Sequence, residues 1–189
     1  MFDRNHILLR SLDVPGHMTS DELGRIIDIV SAYKDQGPIS YLEVGTLIGR
    51  SLMAVGLALP SHSTLVSVDI ANFLNKRAGC HVSDIYAEIV SNRPDLKLSV
   101  FRGDSIAARK IYHCKFTLAF IDGGHDLQSV QDDITTWHPQ ISEGGMIFGH
   151  DYCKHFPDVT QAVDEYFTKL GGIKNNTGSI WEFRRQPAA

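Results

Sequence analysis

The sequence is poor in cysteine, in excess charge of either sign and in long apolar runs. Three cysteines occur in 189 residues, Cys80, Cys114 and Cys153, and their odd number and wide spacing exclude a disulfide framework. They read as free thiols of a reducing compartment, so a cytoplasmic location is expected. The formal net charge is -4, from 18 basic and 22 acidic side chains, which leaves no broad basic field for a phosphate backbone. The expected partner is a small molecule, with no nucleic acid. Asp3, Arg4 and His6 interrupt the apolar residues of the first dozen positions, so no signal-peptide core is expected there. No segment is apolar for long enough to span a bilayer, so no membrane is expected. Internal repeats, low-complexity tracts and linker-like shifts in composition are also missing. One domain over 1–189 is expected, with an N-terminal helical segment at about 1–36.

What is present is a globular composition, 43% hydrophobic and 21% charged, in a chain long enough to bury a core without staples. Thr19-Ser20-Asp21-Glu22 is a capping-box pattern, and Ile26, Ile27, Val30 and Tyr33 follow it on one helical face. Gln36-Gly37-Pro38 ends that helix. A buried strand over 39–44 then runs into the turn from Gly45 to Gly49, and a helix over about 51–59 stops at Pro60. The alternation continues with strands at 65–68, 96–101, 116–121 and 145–149 and with helices near 83–91 and 128–137. A last helix at 159–170, with Asp158 as its N-cap, precedes a hairpin around Asn176-Thr177-Gly178. Strands that alternate with helices, and are apolar throughout, predict an α/β fold with a doubly wound, Rossmann-like sheet covered on both faces.

In such sheets ligands bind beyond the carboxyl ends of the strands. Gly45 directly after the first strand allows close backbone approach, and Gly49 permits the turn into the helix. The third glycine of a dinucleotide fingerprint is missing, so a ligand that does not rest a pyrophosphate on the helix is expected. Asp69 ends the second strand, where a carboxylate can accept both hydroxyls of a ribose; a loop acid or helix cap is the plainer reading. Asp104 and Ser105 end the third, placed for an adenine amino group or to cap the next helix.

These segments, Glu43-x-Gly45-x-x-x-Gly49-x-Ser51, Val68-Asp69, Gly103-Asp104-Ser105 and Ile121-Asp122-Gly123-Gly124-His125, resemble the successive motifs of class I S-adenosylmethionine-dependent methyltransferases. The resemblance covers roughly 41–183. It is closest to the small bacterial-type subgroup with an Asp-Gly-x-His element, a helix bearing Asp132 and Asp133, then Gly144-Gly145 and His150-Asp151-Tyr152. It implies a sheet of order 3-2-1-4-5-7-6 with strand 7 antiparallel. It also implies a donor site in which Glu43, Gly45 and Ser51 line the amino-acid portion, Asp69 binds the ribose hydroxyls and Asp104 with Ser105 flanks the adenine, with Gly49 and Asp122 as further donor-binding residues.

Methyl transfer from a sulfonium to an oxygen needs aligned reactants and a route for the acceptor proton. His125 and His150 both follow strand ends on the acceptor side, and an imidazole suits a base; hydrogen bonding to a loop carbonyl is the plainer role for each. Asp122, His150 and Asp151 form a second option, a site for Mg²⁺ or another divalent cation that acidifies the acceptor hydroxyl. Metal-dependent relatives that methylate catechols or sugar hydroxyls carry acidic or amide residues where this chain has His150. A histidine there moves preference toward Mn²⁺, Fe²⁺ or Zn²⁺. Asp132 and Asp133 read as a solvated helix face, and Trp137 and Phe148 as core.

The expected activity is O-methylation of a small hydroxylated acceptor. Two alternatives stand beside it. One is a metal-dependent oxidoreductase on the same scaffold, like the cephalosporin hydroxylase-like proteins; the other is a noncatalytic S-adenosylmethionine-binding protein. The short region before Tyr41 predicts an acceptor site left open or completed in a homodimer.

Overall fold

The capping box forms as its residue types require. Thr19 accepts the Glu22 amide while the Glu22 carboxylate accepts the Thr19 amide, and helix α2 runs Ser20–Ser31. A computed structural model describes residues 2–71 and 76–186. Ahead of α2 lies a helix that the periodicity does not separate, α1 (Arg4–Leu12), capped by the Asp3 carboxylate on the amides of Asn5 and His6. Its buried stripe is thin, Ile7 and Ser11, which is why the apolar pattern missed it.

The sheet strands are β1 (Ser40–Val44), β2 (Thr64–Asp69), β3 (Lys97–Arg102), β4 (Phe116–Ile121), β5 (Ile141–Gly149), β6 (Lys174–Thr177) and β7 (Ile180–Arg184). Between them run α3 (Arg50–Ala58), α4 (Val82–Asn92), α5 (Ser105–Arg109), α6 (Leu127–Trp137) and α7 (Pro157–Phe167). The spatial order is 3-2-1-4-5-7-6. β1 to β5 pair in parallel, whereas β7 is antiparallel to β5 and to β6. This is the expected Rossmann-like arrangement. A two-stranded ribbon, Lys76–Arg77 with Cys80–His81, leads into α4 and was not foreseen.

Alternate residues of each strand point to opposite faces. Tyr41, Leu65, Leu118 and Phe148 pack with α1 to α4 on one side of the sheet. Leu42, Val66, Ala119 and Ile147 pack with α5 to α7 on the other. Trp137 and Phe148 are wholly buried, and Trp181 and Phe183 share the second layer. Two boundaries move. α7 begins at Pro157, so Asp158 lies in its first turn instead of capping it, and its carboxylate accepts the Leu127 amide. β5 begins at Ile141, four residues before its predicted start, because Gly144 and Gly145 fit inside the strand beside Thr117 and Arg185.

The ends of β1 and β4 touch. Gly45 has φ +85°, and a Cβ there would lie 1.9 Å from the Asp122 carbonyl oxygen. Gly45→Ala therefore combines a left-handed backbone with an overlap that only backbone movement relieves. It is expected to cost at least about 3 kcal/mol, read as a lower urea midpoint; an unchanged midpoint would mean that the two strand ends do not meet.

Candidate active site

β1 delivers the chain to Gly45, whose amide donates to the Val68 carbonyl at 2.9 Å. The next two amides, Thr46 and Leu47, both donate to Asp69 Oδ2 at 2.9 Å, while Asp69 Oδ1 accepts from the Ala71 amide at 2.7 Å. Asp69 thus clips the loop after β1 to the end of β2 and holds Leu47 at φ +50°. Each carboxylate oxygen has more than one acceptor position, so this clip is compatible with ribose hydroxyls on the cavity side. Gly49, also left-handed, heads α3 and packs on Ile85.

Glu43 lies one layer below. It is wholly buried, accepts from Ser51 Oγ at 3.2 Å, and stays off the cavity wall, which it reaches only through Ser51. Burial, with Asp122 nearby, pushes the Glu43 carboxyl well above the usual range. Gly49 is likewise off the wall, whereas Gly45, Ser51, Asp69, Asp104, Ser105, Asp122, His125, His150 and Asp151 line one cavity of about 1090 Å³.

Beyond β3, Asp104 caps α5 through the Ala107 amide, and Ser105 Oγ donates to Asp133 Oδ1. Asp133 is therefore not on a solvated face. α6 turns it inward while Asp132 stays exposed, and it is 5% exposed on the cavity wall. Burial lifts its pKa to about 6, with the Ser105 bond opposing and Asp104, Asp132 and Asp126 adding to the rise.

At the other end, β4 and β5 bring Asp122 and His150-Asp151 side by side. His125 Nε2 pairs with Asp151 Oδ2 at 2.8 Å, and its ring stacks on Phe156. The hydrogen bond to Asp151 raises the His125 pKa. Asp151 holds φ +61°, an uncommon backbone for a non-glycine residue and one that recurs at functional sites. His150 is buried, with Nδ1 3.2 Å from Asp151 and 3.6 Å from Asp122. Its Nε2 sits 3.3 Å from Glu22, at ion-pair distance without hydrogen-bond direction. Burial alone would lower the His150 pKa; Asp122, Asp151 and Glu22 reverse this and push it up to about 12.

Potential ligand atoms of Asp122, His125 and Asp151 all lie within 4.8 Å of one another. Of the set read from spacing, Asp122, His150 and Asp151, the two aspartates fall in this group, with His125 as its third member. The His150 ring is wedged among three carboxylates, and His125 reaches the open side. Two carboxylates and one imidazole facing a cavity fit a divalent cation with hard-oxygen preference and one nitrogen ligand.

Two further residues line the cavity, Glu22 on α2 and Arg50 at the start of α3. Glu22 accepts the Ser179 amide and hydroxyl at 2.9 and 2.8 Å, tying α2 to the turn before β7. Burial works to raise its pKa, but His150, Thr19 and Ser179 outweigh it and leave the carboxyl well below its ordinary value. Arg50 donates to the carbonyls of Val14 and Met18 at 2.6 and 2.8 Å, holding the loop between α1 and α2 along the cavity. Only the capping box hinted at Glu22.

A sheet of this order, with a cavity over the carboxyl ends of its first strands, defines the class I methyltransferase scaffold. The family described as a methyltransferase domain matches residues 42–152, more than half of the chain, and the protein belongs to that family. It is an S-adenosylmethionine-dependent methyltransferase. Among solved structures it is similar to the O-methyltransferase from Bacillus cereus in complex with S-adenosylhomocysteine, at 16% identity and TM-score 0.65, covering 98% of this chain and 92% of that one. It also resembles the O-methyltransferase TomG from Streptomyces achromogenes in complex with S-adenosylmethionine (13%, TM-score 0.64, 99% and 92%). The O-methyltransferase NovP matches at 17% and TM-score 0.64, covering 87% and 79%. At such identities the likeness shows the fold. No curated protein matches the chain by sequence.

Asp133 binds its proton more tightly folded than unfolded, since its pKa rises from 3.8 to about 6. Its contribution to stability is therefore lost as pH rises through that interval and stays lost above it, a change of up to about 3 kcal/mol. Asp133→Asn is expected to shrink the fall in unfolding free energy between pH 4 and pH 7. An equal fall in variant and wild type would contradict the assignment.

Proposed function

We propose that the protein methylates the hydroxyl of a small acceptor, activated at the Asp122, His125 and Asp151 end of the cavity. The observation that carries this is the convergence of those three side chains beside the loop that meets the donor. A cavity of about 1090 Å³ is at the upper end for a single ligand, which supports a donor and a second small molecule side by side.

In this reading the loop from Gly45 to Gly49 and Asp69 hold the donor with its methyl toward Asp122. Asp151 orients the His125 ring through the 2.8 Å contact, so that His125 can take the acceptor proton. The same three residues would hold a divalent cation, which supplies a lowered pKa for the acceptor hydroxyl. His150, a buried positive charge, lets Glu22, Asp122 and Asp151 approach one another. Iron-dependent turnover without methyl transfer would instead favour the oxidoreductase alternative.

The first test is titration with S-adenosylhomocysteine, with EDTA and with Mg²⁺, Mn²⁺, Fe²⁺ or Zn²⁺ in turn, followed by methyl-ether detection on a panel of small hydroxylated compounds. Micromolar binding with cation-dependent turnover supports the cation; turnover that persists in EDTA assigns the proton to His125. No binding under any condition removes the donor site. Asp69→Ala is expected to weaken donor binding on the order of 10- to 100-fold. His125→Ala should leave donor binding near wild type and reduce turnover at least about 100-fold. Donor affinity unchanged in Asp69→Ala would refute the ribose assignment.

A further inference from the structure

Away from the cavity, β3 ends the sheet and is hydrogen-bonded on one side only, to β2. The Lys97 amide donates to the Ser63 carbonyl at 2.9 Å and the Gly103 amide to the Asp69 carbonyl at 3.1 Å. Peptide groups of alternate residues point to alternate sides of a strand, so those of Leu98, Val100 and Arg102 point away from β2. They have no partner among the described residues. At the other end of the sheet, β6 packs against α2. Leu98 and Val100 on one face of β3, and Phe101 on the other, are only half-buried. The Tyr112 hydroxyl bonds to Ser99 at 2.8 Å and its ring meets Phe101 edge-on, which fixes the loop after α5 beside the strand.

The charge along this margin is one-sided. Residues 94–115 carry five lysine and arginine side chains against two carboxylates, in a chain whose net charge is -4. Both carboxylates are engaged: Asp95 by the Arg93 guanidinium at 3.0 and 2.9 Å, and Asp104 as the cap of α5. Lys97 and Arg102, one at each end of the strand, are exposed, and their side chains join no ion pair or hydrogen bond among the described residues.

We infer that the outer edge of β3 is a docking surface for an extended acidic segment of another protein, which joins the sheet as a further strand. Main-chain hydrogen bonds to Leu98, Val100 and Arg102 supply the affinity, and Lys97 with Arg102 select carboxylates at both ends of the segment. The added strand covers the half-buried apolar side chains of the margin. The same two cations act against a second copy of this chain. Two copies meeting edge to edge and antiparallel bring the Lys97 end of one to the Arg102 end of the other, cation to cation. A nucleic acid meets the charges but offers no peptide groups to the edge.

The experiment is fluorescence anisotropy of the full chain with a labelled peptide that alternates valine and threonine and has a glutamate at each end. Its counterparts carry lysine at each end, or keep the glutamates and bear N-methyl groups on the amides that would face β3; an oligothymidylate serves as a polyanion without peptide groups. The acidic peptide should bind saturably, and both counterparts at least about 10-fold more weakly. Amide hydrogen exchange at Leu98, Val100 and Arg102 should slow when it binds. Lys97→Glu combined with Arg102→Glu should reverse the preference between glutamate and lysine ends. Val100→Pro removes an outward amide and none of those bonded to β2, and should weaken the acidic peptide at least about fivefold. The charge-reversed variant carries the test if Val100→Pro does not fold. No saturable binding of the acidic peptide, or equal binding of the N-methyl peptide or of the oligothymidylate, overturns the inference.

Discussion

The contact on which the site depends is between backbone and backbone, Gly45 against the Asp122 carbonyl. β1 and β4 are neighbours in the sheet, and their carboxyl ends come so close that no side chain fits at residue 45. This places the loop after β1 within reach of Asp122 on the wall of one cavity. Asp69 completes the arrangement by pinning the same loop from the other neighbour, β2. Three adjacent strand ends are thereby locked before any ligand arrives, the form of preorganisation that holds reactants in attacking geometry.

Acidic side chains dominate the cavity, and the structure handles each by a different device. Asp69 and Asp104 accept backbone amides at loop and helix starts. Glu43 is buried, with its pKa held high, so the protonated form is favoured beneath the loop after β1. Asp122, Asp151 and Glu22 gather around the His150 ring, whose positive charge offsets mutual repulsion that would otherwise keep them apart. The result is a set of acids with different proton affinities, raised by burial at Glu43 and Asp133 and lowered by their hydrogen-bond partners at Glu22 and Asp151.

The N-terminal region contributes more than its length suggests. α1 and α2 pack on α3, and Arg50 at the start of α3 gathers the intervening loop by its carbonyls. Glu22 reaches from the first turn of α2 to Ser179 and His150, so a peripheral helix contributes to the cavity wall. The short stretch before β1 thus lines the cavity with its own residues, Pro15 to Met18 among them.

The sequence by itself determined the strand and helix alternation, the sheet class and the strand-end positions of Asp69, Asp104, Asp122 and Asp151. Those follow from local rules: apolar runs set by two-sided burial, glycines where the backbone turns, polar residues where a strand leaves the core. Tertiary structure alone decided which side chains face one another. It turned Asp133 inward beside Ser105, brought His125 to Asp122 and Asp151, set Glu43 below the cavity and brought Glu22 to a histidine more than a hundred positions away. Helical and strand periods specify a face, whereas the partner across that face depends on sheet order and helix docking, which no local spacing encodes.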